Sequence, residues 1–209
     1  MKIVKFYISI VLISFLSSPS WSETLTRDDL VPRNKLYYKK FTDVPFTGEV
    51  SGEWNGNFRN GKRSGSWITF HENGQLQMKG NYKDGKLDGF TEFYHKNGLL
   101  DSTVNYKDGK KEGLWIAYYE NGLLLFKKNY KDNKLNGLHE LYYENGQLYF
   151  KVNYNDDKQD GRWEHYYSNG QLWDTGNYKD DKKDGLWKYF NTDGKLVKIE
   201  NYTDGILLK

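Results

Sequence analysis

The sequence predicts an all-β fold: an elongated antiparallel meander of near-identical hairpins. Three observations carry this reading. Glycines recur at a fixed spacing of 24 residues, at 65, 89, 113, 137, 161 and 185, and again at 74, 98, 122, 146, 170 and 194. Asn-Gly and Asp-Gly pairs punctuate the chain at the same period, as at 121–122 and 108–109. Between them lie proline-free runs of about seven to nine residues rich in Trp, Tyr, Phe, Leu and Ile, the composition of strands. A constant period of this size marks a repeat array, in which each unit buries its apolar face only against its neighbours. Glycine at roughly every 10–14 residues excludes long helices.

Taken in order, the chain opens with a stretch that reads as a secretory signal over residues 1–22. Lys2 and Lys5 precede an apolar run over 6–16, and Ser20 and Ser22 fit small-x-small cleavage before Glu23. Eleven apolar residues are too few to span a bilayer, which needs about 20, and no cysteine follows them to take a lipid. The expected location is the periplasm or the exterior. Residues 23–45 hold two of the three prolines and no repeat, so we expect an irregular lead-in with a short strand over 35–41. Residues 46–64 form a truncated unit expected to cap the open sheet edge. Full units follow over 65–88, 89–112, 113–136, 137–160, 161–184 and 185–209.

Each unit carries two turn signals. The first is Asn-Gly at 73–74 and its successors, with Asp193-Gly194 last; the second is Asn60-Gly61, Asp84-Gly85, Asp108-Gly109, Asp132-Asn133, Asp156-Asp157, Asp180-Asp181 and Asp204-Gly205. Both are expected to be type I′ turns, which need positive φ at two central residues and match the twist of flanking strands. About a dozen strands result. The glycine opening each unit sits just inside a strand, where a bulge is expected.

Composition narrows the chemistry. Eighteen Tyr and seven Trp suit half-buried sheet positions. Net charge is +3, and without Lys2 and Lys5 the remaining 29 basic and 28 acidic residues leave about +1. That balance gives no general pull on nucleic acid. The absence of cysteine excludes disulfides and thiolate chemistry. Equivalent residues of successive units stand two strands apart, about 9–10 Å, so His71 and His95 cannot share a zinc ion. His139 and His165 fall in different registers. The Asp-rich second turns lack the alternating pattern of a calcium loop. With no nucleophile elbow or phosphate loop either, neither catalysis nor a metal or cofactor is expected.

Two uniform series are expected to form the core: Phe70, Tyr94, Tyr118, Tyr142, Tyr166 and Phe190, and Leu76, Leu100, Leu124, Leu148, Leu172 and Leu196. Two more variable series read either as rings covering the second face or as an accessible partner-binding surface. They supply the candidates Trp67, Trp115, Trp163 and Trp187, and, beside the first turn, Tyr119, Tyr143 and Tyr167. Lys62, Lys86, Lys110, Lys134, Lys158 and Lys182 form a row, read as a solvated, aggregation-resistant edge in preference to a membrane-surface contact.

The strings at 118–123 (YYENGL) and 105–113 (NYKDGKKEG) resemble the bacterial variant of the MORN repeat, and the chain over 46–209 is similar to the proteins grouped as YwqK-family antitoxins. The resemblance implies an all-β repeat array that binds partners and does no chemistry, and, for the antitoxin label, one that neutralises a toxin by contact. The reading is therefore an exported, non-enzymatic scaffold binding a protein partner through an aromatic sheet face. The alternative is a glycan or cell-wall binder, with Trp67, Trp115 and Trp163 spaced 48 residues, about 19 Å, apart along a polymer.

Overall fold

A computed structural model describes residues 24–209; the expected leader over 1–22 lies outside the described residues. A sixteen-stranded antiparallel sheet runs the length of the repeats, its strands paired in chain order without a crossover. After a short 3-10 turn (Arg27–Asp29) come β1 (Leu30–Arg33) and β2 (Leu36–Lys39), a separate two-stranded sheet. The main sheet starts with β3 (Gly48–Val50), β4 (Trp54–Arg59), β5 (Lys62–Phe70) and β6 (Leu76–Lys83). Later units repeat the β5–β6 hairpin, as in Lys110–Tyr118 with Leu124–Lys131. Short segments such as Lys86–Leu87 and Ile206–Leu207 raise the strand number above a dozen.

The two turns of each unit differ in geometry. The second turns are type I′ as expected: Asp84 and Gly85 have φ of 50° and 81°, and Asp156 and Asp157 of 48° and 70°. The first turns are not. Gly74 lies at φ 81°, but Asn73 is outside the left-handed region, and the Gly74 N–H donates to the His71 carbonyl while His71 N–H donates to Gln75. This is a four-residue type I turn closed by a left-handed glycine and a bulge. The asparagine is kept for another purpose. Asn73, Asn97, Asn145 and Asn169 accept from the N–H two residues on and donate to the equivalent turn of the next unit, as Asn97 does to Glu120 at 2.8 Å.

The opening glycines do sit at bulges. Gln159 faces Tyr154 while Trp163 faces Val152, so four steps on one strand match two on the other, with Gly161 between them at φ 119°.

The stretch over 23–45 is not irregular beyond its short strand. β1 and β2 form a hairpin through Asn34 and Lys35, at φ 51° and 65°. Lysine in a type I′ turn and Pro32 inside a strand hid it from sequence reasoning. The hairpin folds over the first strands, where Leu25, Leu30, Val50, Phe58, Trp67 and Met78 form one buried cluster with Tyr37 and Trp54 against it. Leu25 bridges to Val50 on β3, so the sheet's first edge is partly covered.

The core lies elsewhere than the uniform series suggest. Phe70, Tyr94 and their successors are half-buried, as are Leu76 and most of its series, and Leu196 is exposed. Phe70 faces Leu76, Tyr118 faces Leu124 and Tyr166 faces Leu172: each is the pair that closes a first turn. Their uniformity reflects one repeated cross-strand contact, not depth. The deepest side chains belong to the series of Trp67 and Thr91 and to the residues that face it. Trp67, Thr91, Val104, Val152 and Trp187 are fully buried, in a row where Trp67 faces Gly80, Thr91 faces Val104 and His139 faces Val152.

Volume along this row is set by pairs. A Cβ on Gly56 would lie 2.5 Å from Trp67 Cδ2, and one on Gly176 2.4 Å from Trp187 Cδ2. Where a glycine precedes it, the indole lies flat and its N–H reaches the next carbonyl, Asn57 or Asn177, at 3.2 Å. Where the neighbour on the preceding strand is Val152, Trp163 is only half-buried.

The opposite, outer face carries ion pairs beside the exposed Phe90, Leu114, Leu138 and Leu186. Lys127 pairs with Glu140 at 3.5 Å, and Lys151 and Arg162 both reach Glu164. Tyr142 and Tyr166 donate to Glu140 and Glu164, and partial burial, then those carboxylates, push both phenols up to about 12.

Candidate functional site

Each ring singled out in the sequence has a specific place. Trp67 and Trp187, at 0% and 1% exposure, are core and unavailable to a partner. Cations cover most of the tryptophans on this inner face: Arg63 lies 4.8 Å from the Trp67 ring, Lys111 3.3 Å from Trp115 and Lys183 4.1 Å from Trp187. In all three the cation stands four residues before its ring, and burial, with Lys128 beside it, holds Lys111 below the ordinary lysine range. Trp163 instead stacks on Phe150 at 5.1 Å and donates its N–H to Asp174. Trp67, Trp115 and Trp163 thus do not present a row of free flat faces for a sugar polymer.

Tyr119, Tyr143 and Tyr167 are ties between units. Their hydroxyls donate to the carbonyls of Tyr142, Tyr166 and Phe190, 23 residues on, at 2.7, 2.9 and 3.0 Å. His71 and His95 fill the same role earlier, their Nε2 2.8 and 3.0 Å from the carbonyls of Tyr94 and Tyr118. A carbonyl only accepts, so Nε2 carries the proton. This position retains a ring because it needs a donor at that reach.

Half of the lysine row is likewise engaged. Lys110, Lys134 and Lys158 pair with Asp132, Asp156 and Asp180 of the following turn at 3.3, 3.7 and 3.0 Å. Exposed pairs add little stability, but they leave these lysines no open cationic track.

What the inner face does display lies over the units at 137–184. Trp173 is 41% exposed. It stacks on Tyr167 at 5.0 Å and 11°, and on His165 at 4.4 Å and 27°. His165 in turn contacts Tyr149 at 4.9 Å, which contacts Tyr143 at 4.7 Å. Beneath this ladder the buried Asp174 accepts from Trp163 Nε1 and lies 3.0 Å from His165 Nδ1. Asp174 thereby fixes the planes of two rings. The pair orients rings and serves no evident nucleophile: among the described residues no hydroxyl bonds His165 Nε2, and no group of three ligating side chains is suited to a metal ion.

Trp173 and Tyr149 escape sequence reasoning because they are bulge residues. His165 faces Asp174 and Tyr166 faces Leu172, so Trp173 is the extra residue and leaves the alternation that assigns faces. Its equivalents are Gln77, Asp101, Leu125, Tyr149 and Val197. Superposing the units would have shown two rings in succession at an otherwise unconstrained position.

His139 is the face's titratable weak point. It is buried, packs on Phe150 at 5.0 Å and Tyr154 at 5.8 Å, and neither ring nitrogen has a hydrogen-bond partner. Burial, then the facing Lys128, lowers its pKa to about 4. The unfolded chain therefore binds a proton that the folded chain does not between about pH 6.5 and about 4, and stability falls as pH drops through that window. We expect His139→Phe to track the parent's Tm above pH 7 and to exceed it increasingly below 6.5. A constant difference across a pH series of thermal melts would contradict this.

The MORN repeat variant model matches residues 63–84, 111–132, 135–156, 159–180 and 183–204, five segments of 22 residues and just over half of the chain. The chain belongs to the MORN repeat variant family. No curated protein matches it. Each matched segment starts at the inner-face position of Arg63, Lys111 or Lys183 and ends at a type I′ turn. The MORN units are thus the hairpins described above. The unmatched stretch at 87–108 folds in the same way, with Thr91 in place of tryptophan. The protein is a repeat scaffold.

Proposed function

We propose that this MORN array is an exported, non-enzymatic scaffold that binds a protein partner through its inner face, centred on Trp173. The observation that carries the reading is the ring ladder Tyr167–Trp173–His165–Tyr149, stacked over its first two contacts and edge-on at the last. It is held rigid by Asp174 and stands on the part of the inner face beyond the β1–β2 hairpin cluster. Trp and Tyr are favoured binding anchors because they bring large area with few rotors to fix. Export is supported by the charged, apolar and small-residue pattern of residues 1–22. In its antitoxin-like form, following the family resemblance, the contact blocks the partner's activity.

The test is site-specific photocrosslinking in the host organism. A crosslinker placed at 173 should trap a defined protein that one placed at Lys188, on the outer face, does not. Trp173→Ala with Tyr149→Ala should reduce that partner's recovery at least tenfold with little change in Tm, since Trp173 is 41% exposed. Equal recovery would overturn the site. A mature chain beginning at Glu23 in the periplasm or medium is expected; a cytoplasmic chain retaining residues 1–22 would overturn export.

A further inference from the structure

A cavity of about 470 Å³ lies where β4, β5 and β6 meet at the second-turn end of the first full hairpin. Arg59, Lys62, Arg63 and Lys83 line it, with Asp84 the one carboxylate. The eight lining positions carry four cations against one acid, a net +3. The same eight positions moved along by 24, 48, 72, 96 and 120 residues carry between −1 and +1. The difference comes largely from two sites. Asn60 stands where the later turns have Asp84, Asp108, Asp132, Asp156 and Asp180, and Ser64 where they have Asp88, Glu112, Asn136, Asp160 and Asp184.

Those missing acids have known duties elsewhere. Asp88 and Glu112 accept from the backbone N–H of Asp108 and Asp132, and Asp132, Asp156 and Asp180 pair with Lys110, Lys134 and Lys158 of the preceding turn. At the first unit, none of the four cations has an ion-pair partner among the described residues. Arg63 is clamped between rings, 4.4 Å from Trp54 and 5.2 Å from Tyr82, with Nη1 donating to the Tyr82 hydroxyl and Nε buried and unpaired. A second cavity of about 290 Å³ shares Lys62 and Arg63 and adds Lys35. Unpaired cations converging on one concavity focus a positive potential and favour an anion.

We infer that this is an anion-binding site for a short acidic segment, two or more carboxylates, of a protein partner. One local charge excess in an otherwise balanced array suits a short peptide; a polyanion or an anionic bilayer would need a cationic track. The choice of a peptide rests on the protein-binding reading above, whereas the anion site does not depend on the ring face.

The experiment measures binding of a fluorescent hexa-aspartate peptide to the parent chain, to Asn60→Asp with Ser64→Asp, and to Trp173→Ala. The double variant only restores residues that later units carry at the same backbone geometry: Asp84 sits at φ 50°, as does Asn60. It should keep its Tm and bind the peptide at least tenfold more weakly, while Trp173→Ala binds like the parent. Arg59→Gln should show a partial loss. Equal binding by parent and double variant overturns the site whatever becomes of the ring face. Phosphatidylserine vesicles captured as well as the peptide, with the same dependence on positions 60 and 64, would overturn the peptide assignment.

Discussion

Replacing Trp67 with alanine is expected to cost about 3–5 kcal/mol and to unfold the array from its N-terminal end only. Trp67 is fully buried in the cluster of Leu25, Leu30, Val50, Phe58 and Met78. Its ring meets Phe58 at 5.1 Å, Trp54 at 6.1 Å and Tyr82 at 5.8 Å, and its N–H is spent on Asn57. Gly56 and Gly80 flank it on either side, so neither flanking strand position offers a side chain to fill the space left by the indole. The cavity term is then near its maximum. The β1–β2 hairpin, which is a separate two-stranded sheet, owes its position to this cluster and should detach first. In a repeat array each unit is stabilised by its neighbours, and damage spreads by contact. Hydrogen exchange should therefore accelerate across residues 25–83 and stay unchanged beyond about residue 137. Uniform acceleration along the chain, or no local loss of protection at 25–83, would refute this account.

The fold was legible because its signals are local and redundant. Gly-containing turns at a fixed period, with proline-free ring-rich runs between them, can only pair with their neighbours, and the Asp84-Gly85 type of turn specifies its own geometry. Depth was not legible. In a single-layer sheet, uniformity records which contact recurs, and Tyr118 with Leu124 recurs because every first turn closes on that pair. The buried row varies because volume is traded between facing residues, Trp67 with Gly80 and Thr91 with Val104, and not set at either position alone. The exposed ring ladder was hidden for a different reason: Trp173 and Tyr149 are extra residues of bulges, and alternation assigns such residues to the wrong face. Tyr119, Tyr143 and Tyr167 drew attention as retained rings, yet what is retained is a donor reaching the next unit's carbonyl.

Gly176→Val should cost about 2–3 kcal/mol by lifting Trp187 off its seat. Gly176 is not among the glycines with positive φ, so the effect is one of volume rather than backbone strain. A Cβ there would meet Trp187 Cδ2 and Cε2 at 2.4 Å and Nε1 at 2.6 Å, and an indole cannot flex away as a long aliphatic chain would. The ring must rise to the posture of Trp163 beside Val152, half-buried, losing its bond to the Asn177 carbonyl and part of its burial. Lys183, 4.1 Å above the ring, would be displaced towards water at the same time. A Trp187→Leu background should remove most of the penalty, because leucine is small enough to share the site with valine. A double-mutant cycle is therefore expected to return a coupling above about 1 kcal/mol. Additive effects would show that the indole does not rest on Gly176, and with that the pairwise account of the core would fail.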